Sequence, residues 1–238
     1  MKSTAQKMLR NVSLARALSK LGYTSRTRAE GLIRKGKVMI NGVVIRDPSF
    51  RCSLDHDKIL VNGEAIAGKT LVYIMMNKPL GVVTSRSDER GRKTVYDLLG
   101  DVGKWVFPVG RLDRETSGLL LFTNDNRFGE RLTNPESKIS KTYKVELDRP
   151  LARQHADAFK RGVMLDGERL MPARIHILEG STFEMTIHEG KNRQVRRMCE
   201  AFGYEVVSLT RTRIGRYSND SLVPGSWEYV GKKDIVPI

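Results

Sequence analysis

The first third of the chain switches between helical and strand-like spacing of apolar residues, which predicts a small unit of two helices and two hairpins. Residues 13–22 (SLARALSKLG) place apolar side chains three and four positions apart and end at a glycine, as amphipathic helices often do. Residues 25–36 follow the same pattern. Asn-Gly pairs at 41–42 and 62–63 each separate two short apolar runs, and this dipeptide suits the positive φ angles of type I′ hairpin turns. We therefore predict a compact ααβ unit over residues 11–66.

The remainder of the chain is rich in predicted strands, with helices interspersed but without regular βαβ alternation. This arrangement favours an α+β fold on a mixed or antiparallel sheet. The predicted strands are 71–76, 81–85, 105–110, 118–123, 141–147, 169–178, 181–188, 205–211 and 226–230. The predicted helices are 94–99, 127–133, 153–161 and 192–202. A short polar linker at 67–70 predicts two domains, residues 1–68 and residues 69–238.

The charge of the chain indicates a polyanionic partner. Its 238 residues contain 42 Lys and Arg against 27 Asp and Glu, a formal net charge of +15. The first 68 residues hold 13 basic and five acidic residues, hence +8. Self-repulsion at this level disfavours the compact state unless a polyanion relieves it, so we expect a nucleic acid partner.

The rest of the composition narrows the class of protein. No apolar stretch approaches the length of a membrane span, and the N-terminus lacks the apolar core of a signal peptide. Cys52 and Cys199 lie far apart, and the four histidines form no metal-binding signature. We therefore expect a cytoplasmic monomer with free thiols, no bound metal and no membrane contact.

Asp113 is the first candidate for chemistry, because it follows an apolar run in the segment PVGRLDRETSGLLLFTND (108–125). Arg111 and Arg114 flank it, and neighbouring guanidiniums favour the ionised carboxylate that a nucleophile or a general base requires. Arg111 is also long enough to stack on a base or to bind a phosphate. The alternative interpretation is an ordinary salt-bridged aspartate in a surface turn.

Two further segments carry candidate residues. Tyr143 lies between two lysines in a half-buried strand, where it would either pack in the core or offer a platform for stacking a base. Residues 188–198 (HEGKNRQVRRM) lead from a glycine turn into a helix. Its cations form either a solvated face or a site where one arginine reaches a carboxylate and others bind phosphates. These cations are Lys191, Arg193, Arg196 and Arg197.

Taken together, these motifs closely resemble the bacterial pseudouridine synthases of the RsuA/RluB/RluE/RluF group, which isomerise uridine in ribosomal RNA. The matching segments are NKPLGVVTS (77–85), FPVGRLDRETSGLLLFTND (107–125), KTYKVEL (141–147), EGKNRQVRRMCEAFGYEV (189–206) and LTRTRIG (209–215). The N-terminal ααβ unit resembles an S4 RNA-binding domain. The resemblance implies an S4-like domain followed by a pseudouridine synthase catalytic domain.

The resemblance also implies roles for individual residues. Asp113 corresponds to the catalytic aspartate, Arg111 to the residue that fills the space left by the flipped uridine, and Tyr143 to the residue that stacks on the target base. Arg196 corresponds to the basic residue that pairs with the aspartate, and Leu209 to the aliphatic residue that closes the pocket. We expect further RNA contacts from Lys191, Arg193, Arg197, Arg26, Arg28, Arg34 and Lys35. No metal or organic cofactor is implied.

Several alternatives remain open at the level of sequence. A non-catalytic ribosomal RNA-binding assembly factor would also explain the charge. A DNA-binding regulator would fit the two N-terminal helices, although the hairpins that follow them favour the S4-like unit. The resemblance favours large-subunit 23S RNA as substrate over small-subunit 16S RNA, and an additional tRNA activity is a further option.

Overall fold

The protein was analysed as a computed structural model, which describes residues 12–54, 56–66 and 70–231. The chain divides into two compact units. The first comprises the chain through Leu71 together with Val102–Val106, and the second comprises Val72–Asp101 and the chain from Phe107 onward. Residues 67–69 of the predicted linker lie outside the described residues.

Among its described residues, the N-terminal unit contains two helices and six short strands. Its elements are β1 (Val12–Ser13), α1 (Leu14–Lys20), α2 (Arg26–Arg34), β2 (Val38–Ile40), β3 (Val43–Ile45), β4 (Arg51–Cys52), β5 (Ile59–Val61) and β6 (Glu64–Ala65). Four of the strands form a sheet in the order β3-β2-β5-β6, and β1 pairs with β4. Both helices pack their apolar sides into one core with the sheet, in which Leu14, Leu18 and Ile33 are fully buried.

Local sequence signals account for this unit. The side chain of Ser25 accepts a hydrogen bond from the Arg28 N–H and caps α2, whereas Ser13 occupies the N-cap of α1 without a side-chain bond. Both predicted hairpins are confirmed. Asn41 and Gly42 have φ of 50° and 87°, and the 62–63 pair repeats this geometry with 53° and 85°.

The second unit is larger and is organised around one sheet. Its helices are α3 (Val95–Leu99), α4 (Asn126–Thr133), α5 (Arg153–Arg161) and α6 (Gln194–Glu200). Its strands are β7 (Tyr73–Lys78), β8 (Phe107–Pro108), β9 (Ser117–Thr123), β10 (Lys141–Leu147), β11 (Met164–Leu165), β12 (Glu168–Arg169), β13 (Arg174–Ile177), β14 (Thr182–Ile187), β15 (Val206–Ile214), β16 (Tyr217–Ser218) and β17 (Trp227–Tyr229).

Nine of these strands form a mixed sheet, which confirms the α+β class. The main order is β13-β14-β10-β15-β9-β7-β17, with β16 beside β15 and β8 beside β9. All pairings are antiparallel except that of β9 with β15, where Gly118 lies opposite Arg211. A Cβ at Gly118 would lie 2.2 Å from the Arg211 carbonyl oxygen, and its φ is +104°. The parallel pairing of β9 with β15 therefore requires glycine at position 118.

The structure differs from the predicted elements in three places. Residues 81–85 do not form a strand, and Val83 makes only an isolated bridge to Thr94. Only Phe107–Pro108 of the predicted strand 105–110 is extended in the sheet. The predicted strand 169–178 is interrupted around Pro172, which has no N–H to donate, so that Glu168–Arg169 and Arg174–Ile177 belong to separate sheets.

Candidate active site

A cavity of about 440 Å³ in the second unit opens beside β10 and β15 of the sheet. Six of the eight residues of this unit that the sequence proposes for the site line it: Arg111, Asp113, Tyr143, Lys191, Arg193 and Leu209. Arg196 and Arg197 do not line it. Asp113 is half-buried, whereas Tyr143 and Leu209 are buried. These residues come from four separate segments of the chain, so the fold brings them together and their order in the sequence does not.

The loop that carries Asp113 is held by the segment that failed to form a strand. The Thr84 hydroxyl donates to the Leu112 carbonyl at 2.7 Å and accepts from the Leu112 N–H at 3.3 Å. The Gly81 N–H donates to the Arg114 carbonyl at 2.9 Å, and the Thr116 N–H donates to the Asp113 carbonyl at 3.0 Å. Bonds on both sides of Asp113 therefore restrain its backbone, which is what a precisely aimed reactive group requires.

Lys78 lies at the end of β7 and is completely buried. Its ammonium donates to the carbonyls of Pro79 and Val82 at 3.0 and 2.8 Å. Burial lowers the pKa of Lys78 to about 8, while the carboxylates of Glu115 and Asp113 act in the opposite direction. A buried cation therefore sits within electrostatic reach of the Asp113 loop.

Arg196 does not make the ion pair with Asp113 that the resemblance implied. Its guanidinium donates to the carbonyls of Glu115 and Val206 at 2.7 and 2.9 Å, and no Arg196–Asp113 ion pair occurs among the described residues. Burial is the main cause that lowers the pKa of Arg196, and the charges of Glu115 and Asp113 raise it. Arg196 is therefore bonded to the backbone of the loop that carries Asp113, and the two charges are close enough to influence each other.

Tyr143 and two cations form one wall of the cavity. Tyr143 lies opposite Arg211 in the pairing of β10 with β15. The Arg211 Nε donates to the Leu119 carbonyl at 2.8 Å. Lys141 also lines the cavity, and burial followed by the charge of Arg211 lowers its pKa. A planar aromatic surface beside desolvated cations suits a base that carries oxygen acceptors.

The loop before α6 is fixed by a buried polar network. The Glu189 carboxylate accepts from the Met171 N–H at 3.0 Å and from the Gln194 side-chain amide at 2.7 Å. The side-chain oxygen of Gln194, Oε1, in turn accepts from the backbone N–H of Lys191 at 3.0 Å. This network sets the path of the cavity-lining segment, in which Arg193 has a left-handed φ of 48°.

Three cations of this segment are paired with carboxylates. Lys191 pairs with Glu168 and Arg197 pairs with Asp166, both in the β11–β12 hairpin. Arg193 reaches Glu115 at 3.4 Å. Arg114, which flanks Asp113 in the sequence, also pairs with Glu115 at 3.4 Å. The basic helix is thus partly neutralised in the free protein.

The N-terminal unit presents its own cations on α2 and just after it. Arg26 and Arg34 both pair with Glu30 at 3.6 Å. Two of the four residues of this unit that we expect to contact RNA are therefore already paired with a carboxylate. Arg28 and Lys35 are exposed. The pairing with Glu30 is weak, because all three side chains remain in contact with solvent.

Sequence reasoning did not single out several residues that build the site, among them Lys78, Thr84, Lys141, Glu189 and Gln194. Lys78 carries one usable signal: a lysine that closes an apolar strand (YIMMNK) will be buried if the strand is central. Thr84 and Glu189 bond to Leu112 and Met171, which are distant in the chain, so their side chains give no local indication of those partners. The charge of Arg211, also distant in the chain, acts on Lys141. Gln194 instead bonds within its own segment, to Glu189 and Lys191.

The described residues contain no cluster of three or more His, Cys, Asp or Glu side chains able to hold a metal ion. No helix among them is long and apolar enough to cross a membrane. Both cysteines are buried free thiols.

Comparisons with known proteins identify the family of the chain. Residues 72–201 match the family model for RNA pseudouridylate synthase, and residues 12–57 match the S4 domain. The chain is 38% identical over 204 residues to ribosomal large subunit pseudouridine synthase B of Bacillus subtilis, covering 83% of each chain. It is 37% identical over 219 residues to ribosomal small subunit pseudouridine synthase A of Vibrio cholerae, covering 90% of this chain and 94% of that one.

A solved structure of a pseudouridylate synthase superposes with a TM-score of 0.69 at 33% identity, covering 94% of this chain and 98% of that chain. The fold, the two family matches and the two relatives lead to one conclusion. The chain belongs to the RNA pseudouridine synthases, an isomerase family, and within them to the RsuA/RluB type that carries an N-terminal S4 domain.

Proposed function

We propose that this protein converts a specific uridine of ribosomal RNA into pseudouridine, with Asp113 as the catalytic carboxylate. The observation that carries the proposal is the convergence of Asp113, Tyr143 and Arg111 on one cavity in a chain of this family. Two of the relatives are named for ribosomal substrates, one from each subunit. The positive charge of the chain suits an RNA substrate.

The first task of the site is to extract the base from the RNA. A uridine within structured RNA hides its glycosidic bond, and extruding it costs a few kcal/mol of stacking and pairing. Stacking on Tyr143 would return about 1–3 kcal/mol. Arg111 is exposed beside the cavity and is long enough to occupy the space that the base leaves.

The second task is the isomerisation itself. The N1–C1′ bond breaks, the uracil turns within the pocket, C5 bonds to C1′, and the proton of C5 is lost while N1 gains one. Asp113 either attacks C1′ or removes the proton at C2′, and both routes use its ionised form. The reaction is redox-neutral and consumes no co-reactant, so we propose that it proceeds without a metal or an organic cofactor. Arg196 acts as a positioning residue through the Glu115 carbonyl.

The test is the substitution Asp113→Asn. We expect no pseudouridine in an rRNA fragment that the unmodified protein converts, with RNA affinity within about twofold, since the change removes a charge and no contact area. Asp157→Asn, an exposed carboxylate on α5, is the control and keeps full activity. Turnover by a folded Asp113→Asn protein would rule out the assigned role.

Arg196→Lys separates positioning from direct catalysis. Lysine keeps the charge but cannot bridge the Glu115 and Val206 carbonyls as a guanidinium does. We expect kcat to fall while KM changes little, because the loop that aims Asp113 is loosened. Unchanged kcat would mean that the bridge is not needed for activity.

For the substrate we favour the large-subunit RNA, on the resemblance of the RQVRRM segment (193–198) to large-subunit enzymes. Pseudouridine mapping in 23S and 16S fragments treated with the protein decides between the subunits. We further propose that Arg26, Arg28, Arg34 and Lys35 contact the RNA in either case. The alternative is that the protein is a non-catalytic assembly factor. In that case the unmodified protein and the Asp113→Asn variant would both bind RNA, and neither would form pseudouridine.

A further inference from the structure

A second basic groove lies on the face of the sheet opposite the catalytic cavity. It has a volume of about 340 Å³, and its floor is formed by β13, β14, β10 and β15. Along β10 and β14, alternate residues face opposite sides. Lys141, Tyr143 and Ile187 line the catalytic cavity, whereas Thr142 and Thr186 line the groove.

One continuous row of residues crosses this face without a carboxylate. Arg174 is opposite Thr186, Thr186 is opposite Thr142, Thr142 is opposite Arg213, and Arg213 is opposite Ser218. The two threonine hydroxyls are 2.9 Å apart and hydrogen-bonded to each other. Three strand spacings separate the arginines, about 14 Å between their backbones, which leaves room for more than one phosphate.

A β-bulge places Arg213 on this face. Arg211 and Arg213 are two residues apart and would share a face in a regular strand. The register of β15 against β10 shifts, so that Thr142 pairs with Arg213 and Tyr143 pairs with Arg211, which leaves Thr212 without a cross-strand partner. As a result Arg211 lines the catalytic cavity and Arg213 lines the groove.

The cations of the groove are not neutralised within the protein. Arg174 and Arg213 are exposed, and neither makes an ion pair or a side-chain hydrogen bond with any described residue. The one carboxylate of the groove, Glu184, lies opposite Lys144 in the next row. Two permanent cations, Arg174 and Arg213, therefore face one anion within the groove, and the rings of His176 and His188 also line it.

The groove and the cavity meet at a narrow rim. At three places, residues one or two positions apart in the chain line different sites. Ser140, Gly215 and His188 line the groove, whereas Lys141, Ile214 and Gly190 line the cavity. The rim is built partly of small residues, so a nucleic acid strand leaving the cavity meets little obstruction before it reaches the groove.

We propose that this groove binds the phosphate backbone of the RNA strand that continues from the target nucleotide, with Arg174 and Arg213 as its two principal contacts. The inference rests on the proposed function, since it assumes an RNA that enters the catalytic cavity. It assigns RNA binding to a second face of the sheet, so the substrate wraps over the rim. Flanking nucleotides then contribute affinity that the target loop alone does not supply.

The test compares two RNAs with the full-length protein: a fragment that extends well beyond the target loop on both sides, and a minimal hairpin. Dissociation constants are measured by fluorescence anisotropy between about 50 and 200 mM salt. For the long RNA, Arg174→Gln/Arg213→Gln should lower the slope of log affinity against log salt by about 1 to 2, since each lost phosphate contact contributes somewhat under 1. For the minimal hairpin, slope and turnover should equal those of the unmodified protein.

Two further variants make the result specific. Arg90→Gln/Arg153→Gln removes the same charge from exposed arginines elsewhere in this unit and should leave the difference between the two RNAs intact. Arg174→Lys/Arg213→Lys should keep most of the salt slope, because lysine still neutralises a phosphate. If the Arg174→Gln/Arg213→Gln variant shows the same salt dependence for both RNAs as the Arg90→Gln/Arg153→Gln control, the proposal is wrong. A groove that binds an acidic protein segment instead of RNA would give that same result. Absence of pseudouridine with unmodified protein would count against the proposed function alone, since the binding comparison needs no turnover.

Discussion

Replacing Lys78 by methionine should change how the stability of the protein depends on pH. Lys78 is completely buried at the end of β7, and its pKa is lowered to about 8 from an ordinary value of 10.5. Burial is the main cause, because desolvation disfavours the charged amine. Below pH 8 both the folded and the unfolded chain carry the proton, and burying that charge then costs about 3 kcal/mol.

The sign follows from which state holds the proton. Between pH 8 and 10.5 the unfolded chain binds a proton that the folded chain has released, so the free energy of unfolding rises with pH. Over about pH 7.5 to 9.5 the rise due to this one group is about 2 kcal/mol. Methionine does not titrate, so Lys78→Met lacks this rise.

The assay is urea unfolding of both proteins at the two pH values, followed by tryptophan fluorescence. Trp227 reports on the relevant sheet, because it pairs with Met76 of the strand that carries Lys78. We expect the stability difference between the two proteins to shift by about 2 kcal/mol in favour of Lys78 at the higher pH. Lys93→Met, an exposed lysine in the same unit, is the control and should show no such shift. A difference that stays constant with pH would refute the reasoning, since it would mean that the buried amine keeps the same protonation as in the unfolded chain.

Two other substitutions probe the cavity and the join of the sheet. Tyr143→Phe should keep RNA affinity within about threefold and keep turnover, because the stacking face is retained; loss of turnover in a single-turnover assay would show that the hydroxyl takes part in the reaction. Gly118→Ala should lower the free energy of unfolding by at least about 3 kcal/mol, because its Cβ would collide with the Arg211 carbonyl. Gly225→Ala has a similar φ of +90° with open space around it, so it should cost only about 1–2 kcal/mol in thermal or urea unfolding; equal losses for the two would contradict the steric explanation.

The sequence by itself determined most of the individual elements. Residues 141–147 and 153–161 form a strand and a helix with the bounds that their periodicity predicted. Both Asn-Gly hairpins follow from the turn preference of two adjacent residues. These features depend on local backbone and side-chain preferences, which a short stretch of sequence carries in full.

The sequence also determined the identity of the candidate site, because its motifs are contiguous and specific to a family. Asp113 and Tyr143 are each indicated by the motif of their own segment. Their meeting in one cavity depends on the order of strands in the sheet, which the spacing of residues along the chain does not predict.

Only the tertiary structure decided how the site is supported. The direction of the Arg196 guanidinium, toward two backbone carbonyls, depends on where β15 and the Asp113 loop lie. The same is true of residues 81–85, whose apolar pattern suggested a strand and whose bonds instead hold that loop. The bulge at Thr212 reverses the face of Arg213 and so creates the second groove. Each of these outcomes is set by hydrogen bonds between segments far apart in the chain, and local periodicity contains no information about which distant partner a polar group will find.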